Sequence, residues 1–347
     1  MSSGNVFLLS IASSAGMNIR LVHRLIAASC AVVLCSTVGI PAGRAGDPFR
    51  SSNPQPISAS TAAAFTAAFQ QGNYPAAEQA LQQALRQDSS DPLVFALAGS
   101  LAFAQQNRQA FADYARQTKS KAQAIAPQQP LRSQLYIAVG ELMMAASTLL
   151  PQLTGDGGVP LAAVPQALQS LQTVYGSLRA AAQINPNDPE LNLVQGFVDL
   201  IVATNLPLAN PSGAIAKLEK ASPRYLADRG IALGLRNLKR YPEAIQYVDR
   251  AIAAAPENPE LRYLKAQILV EQSKATGDAN LRRAAAAEFQ KALAKSSQLP
   301  QPLVWQLFFE ACNNQKTFDN RGQDCVSLRD QVTQAPGPWG PATLPPL

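Results

Sequence analysis

Apolar residues recur along most of this chain at intervals of three and four, which is the spacing of helices that bury one face. The pattern is clearest over residues 225–258. A first apolar run passes through Ile231, the stretch KRYPEA interrupts it, and Pro242 is well placed in the first turn of a second helix. That helix ends at Pro256, and the next apolar run opens at Pro259. The spacing predicts a helical hairpin in a unit of 34 residues (259 − 225).

A repeated phrase marks where such units begin. INPNDPELNL starts at Ile184 and AAPENPELRYL starts at Ala254, which places Pro189 and Pro259 seventy positions apart (259 − 189). Asn or Asp before a proline is typical of a helix start, because the side chain accepts hydrogen bonds from exposed backbone amides and proline fits the first turn. Seventy is two units of 34 with two extra residues (70 − 68). We therefore expect a first helix to begin at each phrase.

A unit of this length resembles the tetratricopeptide repeat (TPR), a helix–turn–helix repeat with a period of 34 residues. The family's tryptophan and leucine on the first helix are mostly missing and the spacing is uneven, so the resemblance is to degenerate repeats. Together with the N-terminal signal described below, it is to an exported bacterial type. It implies an all-α, TPR-like right-handed α-solenoid of about six to seven helical hairpins over residues 58–333. An irregular α-solenoid is the alternative. The two clearest units carry the family's residues at Tyr241, Ala244, Val248, Ala251 and Pro256, and at Gly72, Tyr74, Ala77, Leu81 and Ala84.

The N-terminus has the three parts of a secretory signal: Arg20 and Arg24, then an uncharged apolar stretch over residues 25–40, then small residues. We expect residues 1–45 to be the signal peptide, with cleavage at its end and translation starting at Met17. Export by the general secretory route predicts a location in the periplasm, or in the thylakoid lumen of a photosynthetic host. The alternative is an uncleaved signal that anchors the protein, and membrane association is expected only in that case.

Export changes the chemistry that is available. The single histidine, His23, lies in the predicted signal, so the mature chain would have none for acid–base catalysis or metal binding. Cleavage also removes Arg20, Arg24 and Arg44 from the 29 Lys+Arg, leaving 26 against 23 Asp+Glu, a net charge of +3 (26 − 23). No basic cluster stands out, so we do not expect a nucleic-acid partner. No phosphate-binding or hydrolase motif is present, and we predict neither an enzyme nor a metal or cofactor site.

Two cysteines remain after cleavage, Cys312 and Cys325. In the hairpin interpretation they lie on the two helices of the last unit, and in an oxidising compartment we expect a disulfide between them. Two free buried thiols are the alternative. Outside the repeats, residues 46–57 are predicted to be a tether, and residues 334–347 to be a disordered Pro/Gly-rich tail.

TPR solenoids present a groove lined by the first helix of each hairpin, and this groove binds protein or peptide segments. Arg229 and Arg236 would give the groove a basic patch that suits a segment with some acidic character. The alternative is that the apolar members of the set are core residues. The register implied by the resemblance turns these residues into the groove: Leu193, Phe197, Leu200, Arg229, Leu233, Arg236, Asn237, Tyr263 and Gln267.

The function that the resemblance implies is that of an exported protein-interaction scaffold or adaptor, which helps to assemble or stabilise an envelope or membrane complex. Its partner would be a protein or peptide. Two other classes stay open. One is an envelope module that handles carbohydrate or lipid, and the other is a self-associating structural protein.

Overall fold

A computed structural model of the protein describes residues 46–149, 164–205, 210–319, 323–334 and 336–347. The predicted signal peptide lies outside these residues. The described part of the chain forms fourteen α-helices, two to a hairpin and hence seven hairpins in succession. This confirms the predicted all-α solenoid.

The first four hairpins pair the helices in chain order. They are α1 (Ala59–Phe65, continued by a π-helical turn Thr66–Gln70) and α2 (Tyr74–Gln87); α3 (Pro92–Ala104) and α4 (Arg108–Ala124); α5 (Pro130–Leu149) and α6 (Val164–Ile184); α7 (Pro189–Asn205) and α8 (Pro211–Glu219). The last three are α9 (Arg224–Asn237) and α10 (Tyr241–Ala254); α11 (Pro259–Thr276) and α12 (Ala279–Leu293); α13 (Gln301–Asp319) and α14 (Cys325–Thr333).

Asn and Asp residues cap the N-termini of many of these helices. Asp91 caps α3, Asp188 accepts a hydrogen bond from the backbone amide of Leu191 in α7, and Asn258 caps α11. Each cap satisfies a backbone amide that has no partner inside the helix, and a proline follows it in the first turn. The repeated phrase therefore does mark the starts of two first helices, α7 and α11, as the sequence predicts.

The N-terminal segment is packed against the body. Asp47, Phe49 and Ile57 are buried, and the Phe49 ring meets the Phe65 ring edge-on at 5.6 Å between centroids. This differs from the tether predicted for residues 46–57, because three of its side chains are buried. We call residues 46–57 the arm.

The C-terminal segment also differs from the prediction of a disordered tail. The amide of Gly340 donates to the carbonyl of Leu299 at 2.8 Å, and the amide of Gln301 donates to the carbonyl of Pro338 at 2.8 Å. The Ser296 hydroxyl donates to the carbonyl of Pro341 at 2.6 Å. Proline prevents a helix here, but the backbone still finds partners at the turn between α12 and α13.

Cys312 in α13 and Cys325 at the start of α14 form a disulfide, with their Cα atoms 5.7 Å apart. The bond joins the two helices of the last hairpin, which confirms the predicted pairing. Across the described ranges, none of the helices combines the length and the apolar character that crossing a bilayer requires. The apolar stretch at residues 25–40 is outside those ranges.

Candidate functional site

The first helices α7, α9 and α11 form one face of the solenoid, which we call the first-helix face. On α7, Leu193, Phe197 and Leu200 are at most 2% exposed. Phe197 and Leu200 lie so close to Gly230 and Gly234 of α9 that a Cβ at either glycine would come within 2.4 Å of them. The apolar residues expected to line a groove therefore pack between α7 and α9 as core.

The two arginines of α9 form hydrogen bonds with side chains of α11. Arg229 Nη2 donates to Glu260 Oε2 at 2.6 Å, and Arg236 Nη1 donates to Gln267 Oε1 at 2.7 Å. Each partner lies 31 residues further along the chain, which is close to one repeat. The basic patch expected for an acidic partner is thus engaged by the neighbouring hairpin. Asn237 completes this cluster by accepting hydrogen bonds from the Arg236 guanidinium.

The remaining members of the predicted set lie on α11 and α9. Tyr263 on α11 is 4% exposed and packs against Phe289, with the ring centroids 6.0 Å apart. Gln267 continues the polar row by donating from Nε2 to Glu310 Oε2 of α13 at 2.7 Å. Leu233 on α9 is 4% exposed. The structure thus brings the predicted residues together, but it directs their side chains at adjacent helices.

The first hairpin docks at the start of α11. Asn258 Nδ2 donates to the carbonyl of Phe69 at 2.8 Å, and the Tyr74 hydroxyl donates to Glu260 Oε1 at 2.7 Å. Gly72 forms the turn between them with φ +61°, and a Cβ there would lie 2.7 Å from Asn258 Oδ1 and from Pro259 Cδ. The absence of a side chain at Gly72 is what lets the turn reach α11.

The arm docks at the start of α7 through Arg50. Its Nε donates to Asp188 Oδ2 at 2.9 Å, and its Nη2 donates to Asp188 Oδ1 at 3.0 Å and to Glu190 Oε2 at 2.8 Å. Its Nη1 donates to Asp47 Oδ2 at 3.0 Å. The Tyr136 hydroxyl of α5 donates to the other carboxylate oxygen of Glu190 at 2.6 Å. We call Asp188, Glu190 and Tyr136 the arginine socket.

Burial and charge oppose each other in this socket. Burial works against the charge of Arg50, yet the carboxylates of Glu190 and Asp188 outweigh it and hold the pKa of the guanidinium above its ordinary value. Burial, and then the adjacent Glu190, raise the pKa of the Tyr136 hydroxyl well above its ordinary value. Arg50 is therefore a cation and Tyr136 a neutral hydrogen-bond donor at any physiological pH.

The socket and the Gly72 turn are the docking contacts that sequence reasoning misses. Some of the residues that form them stand in the repeated phrase, which contains Asp188 and Glu190 in one copy and Asn258 and Glu260 in the other. Capping alone accounts for the phrase within each helix, so its second role as a docking point has no local sign. In the described ranges, no group of three or more His, Cys, Asp or Glu residues is placed to hold a metal ion.

The geometry defines a class of protein, a repeat protein built from helical hairpins. The family model of the tetratricopeptide repeat matches residues 63–130 and 229–300, which contain the residues that carry the resemblance in both of the clearest units. A comparison with curated proteins finds no match. Among solved structures, the chain is similar to a thermophilic TPR protein of Thermus thermophilus, with 17% identity and a TM-score of 0.40. That similarity covers 57% of this chain and 92% of the other.

Proposed function

We propose that this protein is an exported scaffold that holds an extended protein segment against its first helices. TPR proteins are typically non-enzymatic scaffolds for protein–protein interaction. The observation that carries the proposal is the arm itself, which is a non-helical segment held by two first helices, at the start of α7 and at the end of α1. Its anchors are Phe49 in an apolar contact and Arg50 in an acidic one. Anchoring an extended chain by a few side chains is a common mode of peptide recognition.

Export is supported by two independent features. The Cys312–Cys325 disulfide is of a kind that persists in oxidising compartments and is rare in the cytosol. The N-terminal sequence has the three parts of a secretory signal. Together they favour the periplasm, or the thylakoid lumen of a photosynthetic host, and hence a partner that belongs to an envelope or membrane complex. The proposed task is to help assemble or stabilise that complex.

Site-specific photo-crosslinking tests this function. A photo-reactive residue at the half-buried Val270, on first helix α11, is compared with one at Leu168, on second helix α6, which is 51% exposed. We expect a discrete crosslinked protein from the envelope fraction with the label at residue 270 and no such product with the label at residue 168. Equal crosslinking from both positions, or none from residue 270, would contradict a scaffold that uses its first helices.

A further inference from the structure

We propose that the arginine socket is a binding site for an extended segment in which an aromatic residue precedes an arginine, and that the arm is a displaceable occupant of this site. The inference rests on the proposed function and names the chemistry of the partner. It places the partner's guanidinium where Arg50 now lies, between Asp188 and Glu190, and the partner's aromatic ring where Phe49 meets Phe65.

The socket fits a guanidinium better than an ammonium. Asp188 receives two parallel hydrogen bonds, from Nε and Nη2 of Arg50, and Glu190 receives a third from Nη2. This bidentate geometry matches the planar fork of arginine, whereas a lysine offers one point charge. The side chains of Asp188 and Glu190 are 7% and 1% exposed, so a bound guanidinium is held largely out of water.

An empty socket would be strongly anionic. Asp47 leaves together with the arm, but Asp188 and Glu190 stay behind as two neighbouring carboxylates that have lost the guanidinium paired with them. The nearest remaining cation, Arg132, is already paired with Asp91 at 2.8 Å. Two neighbouring carboxylates that lose their partner cation repel each other, so another cation in the place of Arg50 stabilises the open form. The socket therefore exchanges one arginine for another.

The hold on the arm is local. Residues 51–54 are exposed, and no helix or strand includes any part of residues 46–57. Beyond the anchors Asp47, Phe49, Arg50 and Ile57, the arm buries little side-chain surface. Segments with few buried contacts open at a lower free energy than the helices around them. The arm can thus leave while the hairpins stay folded.

The test uses the full chain with the arm's two central anchors removed, Phe49→Ala/Arg50→Ala. A fluorescent peptide with the sequence of residues 46–57, GDPFRSSNPQPI, is titrated in and its anisotropy is measured. We expect saturable binding to this variant. We expect binding weaker by roughly a hundredfold or more for a control peptide with Ala in place of Arg, because that peptide leaves both carboxylates unpaired. Wild-type protein, whose socket is filled, should bind the peptide much more weakly than the variant.

The proposal is overturned if the variant keeps its helical circular dichroism yet fails to bind, or binds the two peptides equally. Should the variant not fold, hydrogen exchange on the wild-type protein decides. A large excess of the peptide should then speed hydrogen exchange in residues 46–57, while the control peptide should not. If the two peptides have the same effect, the proposed displacement of the arm is refuted. If a partner is crosslinked at residue 270 but the peptide does not bind the socket, this inference is rejected and the proposed scaffold function is retained.

Discussion

Glu190 and Glu260 occupy the same position in two first helices, one residue after the proline that opens α7 and α11, and each accepts a hydrogen bond from a tyrosine hydroxyl. The donor is Tyr136 at 2.6 Å for Glu190 and Tyr74 at 2.7 Å for Glu260. Each glutamate is also paired with an arginine. The repeated Pro-Glu phrase thus forms two equivalent acceptor sites, and the N-terminal region docks at both of them.

Gly72 provides a test of the docking at α11. Both Gly72→Ala and Gly277→Ala introduce a side chain at positive φ, +61° and +76°, so both should lose about 1–2 kcal/mol of unfolding free energy from backbone strain. At Gly72 the new Cβ also collides with Asn258 and Pro259, whereas at Gly277 nothing lies within 4 Å. We expect a further loss of about 1–3 kcal/mol for Gly72→Ala alone, measured by urea unfolding. Equal losses would show that the turn does not press on α11.

The hydrogen bond from Tyr74 to Glu260 should contribute measurably to stability. Tyr74→Phe leaves a buried carboxylate with one donor fewer, and we expect a loss of roughly 1.5–3 kcal/mol in unfolding free energy. Tyr114→Phe is the matched control, since the described residues offer its hydroxyl no hydrogen bond. A double-mutant cycle with Glu260→Gln isolates the pair. A coupling energy near zero would mean that the hydroxyl and the carboxylate do not interact.

Alkaline titration examines the same two hydroxyls through their pKa. Burial, and then the nearby glutamates, raise the pKa of Tyr74 and of Tyr136 well above the ordinary 10.0. A raised folded-state pKa contributes stability that is fully present below the unfolded pKa and is lost as pH rises through the folded one. We therefore expect unfolding free energy to fall above pH ~10, and to fall less steeply in Tyr74→Phe. Absorbance at alkaline pH should show a group of tyrosines that ionise only when the protein unfolds, and this group should be smaller by one in Tyr74→Phe.

Reduction of the disulfide should loosen the last hairpin. Closing a loop of this size contributes on the order of 3 kcal/mol by the chain-entropy account. Wild-type protein should therefore melt at a lower temperature in reductant. The variant Cys312→Ser/Cys325→Ser should melt at the lower temperature whether or not reductant is present. A wild-type melting temperature that ignores reductant, with the bond shown by mass spectrometry to be broken, would contradict a stabilising role.

The hairpins could be predicted from the sequence because their causes are local. Apolar spacing, capping residues such as Asn258 and turn residues such as Pro242 act within a few positions of each other. The pairing of Cys312 with Cys325 follows once both are placed on one hairpin. The docking of the N-terminal region on α7 and α11 has no such local sign, since Arg50 contacts Asp188 across 138 residues and Tyr74 contacts Glu260 across 186.

The candidate site shows the same limit. Periodicity assigns Phe197, Arg229 and Gln267 to the first-helix face, and the structure places them there. It cannot tell that Arg229 is paired with Glu260, or that Phe197 is packed against Gly230. Exposure depends on what the rest of the chain covers, and this is a tertiary property that a repeat pattern does not encode.

The central claim is that the arginine socket at the start of α7 is already occupied by the protein's own arm, and trypsin tests it most directly. The bond after Arg50 is the natural target, because trypsin needs the arginine side chain that the socket now holds. We expect this bond to resist cleavage in the folded wild-type protein and to be cut at least about tenfold faster in Asp188→Asn/Glu190→Gln, with helical content unchanged. Rapid cleavage after Arg50 in the wild-type protein, at the same rate as in the variant, would contradict the claim.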